Sequence, residues 1–175
     1  MENWIPFSHQ EYDQIWDRIY RDFKFKPSTS IFPSFQVPHP FITYDISDYL
    51  RDSIDFDAYD TLEDSADLDA YDDLEEQALD AFKEITLVDE YILALDWQHE
   101  SYWVNPRLEF EKDEFGEWTI PIFPNGDYYF FIQKDFKWGY LGHPWEKSIT
   151  IFGEEVINAF DEHKPRMFHK ILRQG

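Results

Sequence analysis

Near residue 90 the apolar pattern of this 175-residue chain changes its period. In "EYILALDWQHESYWV", Tyr91, Leu93, Leu95 and Trp97 fall on one side and Asp96, Gln98 and Glu100 on the other. A period of two is that of a strand. "EWTIPIFPNGDYYFFIQ" sets Asn125-Gly126 between two aromatic and β-branched runs, which predicts a hairpin. "KDFKWGYLG" and "KSITIF" read as further antiparallel strands, and Gly153 then opens a helix over "EEVINAF". "PRMFHKILRQ", with Pro165 near its start, reads as a final short helix.

Upstream the spacing is helical. In "SHQEYDQIWDRIYRDF", Tyr12, Ile15, Trp16, Ile19 and Phe23 form one apolar face, and Ser8 and Glu11 have the spacing of a capping box. Four prolines between Pro27 and Pro40 predict an extended loop with room for one short edge strand. "FITYDISDYLRDSI" reads as a short strand turning into a helix capped by Asp45 or Ser47.

An acidic near-repeat follows. Residues 57–66 match residues 69–78 at seven of ten positions, an offset of twelve. Twelve residues rotate a helical pattern by about 120°, so one straight helix would aim the copies in different directions. "LDAYDDL" and "LDAFKEI" are offset by eleven, only about 20° apart by the same geometry. One helix is therefore predicted from Ser65 to Ile85, burying Leu68, Tyr71, Ala78, Leu79, Phe82 and Ile85, with the first copy on a separate helix or loop.

The order predicts an α+β fold: an antiparallel sheet of about four to five strands with helices packed on one face. Residues 1–175 form a single domain in this reading, with an acidic helical segment over 45–90, the sheet over 90–152 and closing helices over 153–175. The 17 Phe, 11 Tyr and 7 Trp predict an aromatic core.

Charge narrows the function classes. At −22, the chain is a poor match for a nucleic-acid backbone or an anionic membrane. No apolar run has the length of a membrane span, and "MENWIPFSHQ" lacks the basic and apolar regions of a signal peptide. The absence of cysteine excludes disulfides and thiolate metal sites and fits a cytoplasmic location. No Gly-rich phosphate loop, His-Glu-x-x-His zinc motif or nucleophile elbow appears.

Three clusters carry side chains able to do chemistry: Asp96-Trp97-Gln98-His99, Asn125-Gly126-Asp127 and Gly142-His143-Pro144-Trp145-Glu146. Residues three apart in a strand face opposite sides, so Asp96 meets His99 only if the chain bends between them. A pocket would place His99, Asp127, His143 and Glu146 as acid–base candidates, with Trp97, Tyr102 and Trp145 as its aromatic walls. No metal ligand set and no cofactor are predicted.

The charge is also uneven. Residues 45–90 hold 18 Asp and Glu against Arg51 and Lys83, a balance of −16, while the other 129 residues carry −6. Acidic residues on a helix face ordinarily serve solubility. Here like charges stand three or four apart, as in Asp69 with Asp72, and such pairs destabilise a helix. A dense negative field also steers basic partners. The residues predicted to meet a basic protein partner are Asp57, Asp60, Glu63, Asp64, Asp69, Asp72, Asp73, Glu75 and Glu76. The preferred reading is a non-enzymatic, immunity- or antitoxin-like binding protein. An enzyme or small-ligand binder using the aromatic, His and carboxylate pocket is the alternative.

"ALDWQHESYWVNP", "IFPNGDYYFFIQKDFKWGYLGHPWEKSITIFGEE" and the closing "ILRQG" resemble a family of bacterial domains of unknown function, number 2716. The resemblance lies mainly over residues 90–175. It implies a bacterial or phage-borne cytosolic protein and brings no catalytic roles.

Overall fold

The alternating stretches pair into one antiparallel sheet that is buried on both faces. The computed structural model describes residues 2–50 and 62–175, the side chains of 62–68 excepted. The elements are β1 (Trp4–Pro6), α1 (His9–Asp22), β2 (Phe41–Asp45), α2 (Leu62–Ile85), β3 (Ile92–Asp96), β4 (Tyr102–Val104), β5 (Tyr129–Ile132), β6 (Gly139–His143), β7 (Ser148–Phe152), α3 (Glu154–Glu162) and β8 (Ile171–Gln174). The strand order is β1-β4-β3-β5-β6-β7-β2-β8. A 3₁₀ turn at Ser47–Tyr49 follows β2; the Asp45 carboxylate accepts the Ser47 N–H, but the N-cap position is Ile46, which gives no side-chain cap.

The sheet has eight strands where four to five were predicted. β1, β2 and β8 come from outside residues 90–152. β1 and β8, at three and four residues, are too short to show a period, and their partners recruit them: β1 lies on β4 and β8 on β2. The predicted final helix is a turn, closed from the Phe168 N–H to the Pro165 carbonyl, followed by β8. The Asn125-Gly126 hairpin does not form either. Residues 117–128 hold no strand, and β5 pairs with β3 and β6 instead. Pro121 and Pro124 remove the donors a ladder needs. Trp118, Ile120, Ile122 and Phe123 instead lie buried in the core beneath α2.

Helices cover both faces, not one. On the first face Trp16 and Ile19 of α1 pack on Leu93, Leu95 and Phe130. On the second, Ala70, Leu74, Ala78 and Phe82 of α2 and Val156 and Phe160 of α3 pack on Ala94, Phe131, Tyr140 and Ile151. Neighbouring residues of one strand thus serve opposite cores, as Phe130 and Phe131 do. The Phe82 ring stacks 5.6 Å from Trp138 and 5.7 Å from Phe131, and meets Phe160 edge-on at 6.1 Å.

α1 starts at the predicted capping box: the Glu11 N–H donates to the Ser8 hydroxyl, and the Ser8 N–H to the Glu11 carboxylate. α2 begins at Leu62, so Leu62–Ala66 of the first acidic copy continue the same helix. Asp57 and Asp60 lie outside the described residues. Burial of Ala78 and Phe82 and partial burial of Tyr71, Leu79 and Ile85 match the eleven-residue reading.

Gly153 joins β7 to α3 at φ +98, where a Cβ would lie 2.6 Å from the Lys137 carbonyl oxygen. Gly153→Ala is expected to cost about 3 kcal/mol from strain and overpacking together, read from the urea midpoint. A loss under about 0.5 kcal/mol would show that this junction is not the tight corner described.

Candidate functional site

Two surfaces carry the chemistry. The first is built where β3 ends. The His99 N–H bonds to the Asp96 carbonyl, closing a four-residue turn with Gln98 at φ +66. This bend brings the side chains of Asp96 and His99 together, which a straight strand forbids. β5 runs beside β3 with Tyr129 opposite Asp96, so the preceding Asp127 reaches the same corner. His99 Nδ1 stands 3.2 Å from Asp96 Oδ1 and 3.0 Å from Asp127 Oδ2. The other oxygen of Asp127 accepts its neighbour's Tyr128 N–H at 2.8 Å, which fixes the carboxylate's rotation. The two carboxylates are mostly buried, with side-chain exposures of 18% and 13%, while the imidazole is 67% exposed.

Electrostatics follow from that crowding. Burial, then the adjacent Asp127 carboxyl, pushes Asp96 up to about 7. The hydrogen bond and charge of Asp96 raise His99 above the ordinary imidazole range. Groups displaced in this way are where proton transfer or ligand binding is found more often than elsewhere.

The remaining pocket candidates are engaged elsewhere. His143 is fully buried. Its Nδ1 accepts the backbone N–H groups of Trp145 and Glu146, leaving Nε2–H to donate to the Ser34 hydroxyl at 2.8 Å. Burial lowers it to about 4, so it is neutral. Burial would raise Glu146, but the paired Arg173 guanidinium and the Ser148 hydroxyl outweigh it and leave the carboxyl below its usual range. The Arg173 bond is bidentate, at 2.9 and 2.5 Å, and ties β8 to the turn before β7. Neither His143 nor Glu146 makes a hydrogen bond to His99 or Asp127. Trp97 donates its indole N–H to the Tyr20 hydroxyl at 2.8 Å, Tyr102 donates to Glu100, and Trp145 packs edge-on to Tyr128. A groove of about 680 Å³ lined by Leu87, Val88, Tyr91, Trp103 and Lys134 includes none of these candidates.

The second surface is the outer side of α2 and α3. Asp69, Asp72 and Glu76 are exposed and recur at helical spacing along one face of α2. Asp73 instead accepts the Arg166 N–H at 2.8 Å, capping the turn before β8. Glu75 is partly buried, and burial raises its carboxyl. Glu63 and Asp64 lie on α2 among the side chains not described. The sequence predicts α3 but not its share in this surface, where its Glu154, Glu155, Asp161 and Glu162 are exposed beside α2. Across the seam the nearby Glu162 carboxyl raises Glu84, and His163 Nε2 lies 3.6 Å from Glu84. Only the pattern "EEVINAFDE", acidic at both ends, hinted at this in the sequence.

Asp96 and His99 are both raised, so the folded state holds protons that the unfolded chain has released, over a window that opens at about pH 4 and closes at about pH 7 for Asp96 and opens only at about pH 6.5 for His99. Their contribution to stability is therefore present at low pH and lost as pH rises through that window. Asp127→Asn keeps the oxygen facing Tyr128 and removes the second charge. It should shrink the loss of stability between pH 5 and 8 relative to wild type, measured as urea midpoints. Parallel pH profiles for the two proteins would contradict this coupling.

Comparison with known proteins places the chain. Residues 6–157 match the family described as protein of unknown function, DUF2716. That span takes in α1 and the acidic α2, N-terminal to the stretch 90–175 that carries the sequence resemblance, and stops short of β8. The uncharacterized protein YxiI of Bacillus subtilis (strain 168) is 39% identical over 171 residues, covering 96% of this chain and 98% of that protein. No solved structure matches the chain. No helix among the described residues is long and apolar enough to cross a membrane. Together the family match and the near full-length relative establish that the chain belongs to the DUF2716 family.

Proposed function

We propose that this protein is a non-enzymatic, cytosolic binding module whose α2–α3 layer masks a basic surface on another protein, as an immunity protein or antitoxin does. The carrying observation is the packing of the two most acidic helices side by side on one face of the sheet. Asp69, Asp72, Glu76 and Glu84 from one helix join Glu154, Glu155, Asp161 and Glu162 from the other, with Lys83 the one Lys or Arg in either element.

A face serving solubility alone has no need to crowd its charges. Here carboxylate oxygens of Glu84 and Glu162 lie within 4.8 Å of each other across the seam, which raises Glu84. A Lys or Arg side chain from a partner relieves that repulsion, and the summed field of both helices speeds its approach. The helix on the other face, α1, has a different balance: its Arg18 and Arg21 both bond to Asp22.

The test compares the wild-type chain with a variant carrying Asp69→Lys, Asp72→Lys, Glu76→Lys and Glu155→Lys, all at exposed positions. Affinity capture at low salt should recover a basic protein with the wild type and not with the variant. The association rate of the purified pair should fall more than about tenfold between 50 and 300 mM salt. Unchanged binding by the reversed variant, or a partner footprint on α1, would remove the proposal.

A further inference from the structure

The corner formed by Asp96, His99 and Asp127 has the geometry of a ligand set. Its donor atoms, two carboxylate oxygens and an imidazole nitrogen, all lie within 4.8 Å of one another. The nitrogen stands 3.0 and 3.2 Å from the two oxygens. In a metal centre with bonds of about 2.1 Å, adjacent donors are about 3.0 Å apart at right angles and about 3.4 Å apart in a tetrahedron. Both nitrogen–oxygen separations thus have the edge length of a coordination shell.

Three further features separate this corner from an ordinary acidic surface. The carboxylates are mostly buried, and among the described residues neither has an ion pair with Lys or Arg. His99 is their shared cationic partner, and one Nδ1 hydrogen must serve two acceptors. The donors are also held in place from outside the cluster. Asp96 ends a strand and its N–H donates to the Ser101 hydroxyl, whose oxygen also accepts the Trp16 indole N–H. Asp127 is locked by the Tyr128 N–H. Outer contacts of this kind orient metal ligands. The other carboxylate–imidazole cluster, Glu84, Glu162 and His163, lacks this support: both of its carboxylates are exposed on helix surfaces.

We propose that Asp96, His99 and Asp127 form a binding site for one divalent transition-metal ion, of the Zn²⁺ or Mn²⁺ class. Two carboxylates and one imidazole suit such borderline ions, whereas Ca²⁺ takes six to eight oxygens, roughly, and gains little from nitrogen. The metal replaces the proton on Nδ1, and the exposed side of His99 leaves the other coordination positions to water.

The test uses the full chain stripped with chelator, titrated calorimetrically with ZnCl₂, MnCl₂ and CaCl₂ and followed by thermal denaturation. Zn²⁺ or Mn²⁺ should bind one to one and raise Tm by a few degrees. Asp127→Asn and His99→Ala should each weaken that binding at least tenfold, and paramagnetic Mn²⁺ should broaden the His99 ring resonances. His99 is exposed, so its replacement leaves the core intact. A Glu84→Gln, Glu162→Gln control should bind as the wild type does. The assignment is overturned if neither Zn²⁺ nor Mn²⁺ binds, if Asp127→Asn and His99→Ala bind as well as wild type, or if Ca²⁺ binds as tightly.

Discussion

Everything else in this protein leans on the aromatic burial on both sides of β5 and β6. Phe130 and Phe131 are consecutive in the chain and fully buried in opposite cores. Trp16 of α1 lies 6.1 Å from the Phe130 ring, and Phe82 of α2 lies 5.7 Å from Phe131. Side chains of this size contribute roughly 2–3 kcal/mol each when removed from water. The sheet thereby anchors two helical layers at once. Its last paired residues at the ends of β3 and β5 also hold the carboxylate–imidazole corner, so both candidate surfaces are outgrowths of one packing arrangement.

Local rules read well from the sequence and non-local ones did not. The Ser8–Glu11 box and the eleven-residue offset located α1 and α2, because both are contacts within a few turns of chain. β3, β6 and β7 were visible as alternating or short apolar runs. β1 and β8 escaped notice because three or four residues show no period, and their pairing with β4 and β2 is a tertiary decision. "KILRQ" fits a helix turn as well as a strand until Arg173 is seen holding Glu146. The Asn125-Gly126 signal was outvoted by Pro121 and Pro124 and by burial of Ile120 and Ile122. Helices were placed on one face because a period of two does not reveal that both its phases are apolar, as in Ile92–Leu95.

The same limit shaped the site. Asp96, His99 and Asp127 had each been singled out, but their meeting depends on a turn at Gln98 and on the β3–β5 register. His143 looked as promising and proved to be a neutral, hydrogen-bonded core residue, since nothing local records which imidazole the sheet will cover. Charge is handled in three ways within one fold. Glu146 is buried and matched by Arg173, the Asp96 corner is partly buried and left short of cations, and the α2–α3 layer is exposed and self-repelling. The first arrangement holds structure, and the other two leave an attraction for positive charge unspent.

The central claim is that the acidic α2 is fixed to the sheet by a shared core and is therefore a rigid charged layer. Native-state hydrogen exchange tests it most directly, residue by residue. Amides of Leu74–Ile85 are expected to be protected nearly as strongly as those of Tyr129–Ile132 and Ser148–Phe152. Rapid exchange throughout α2, with the strands still protected, would contradict it.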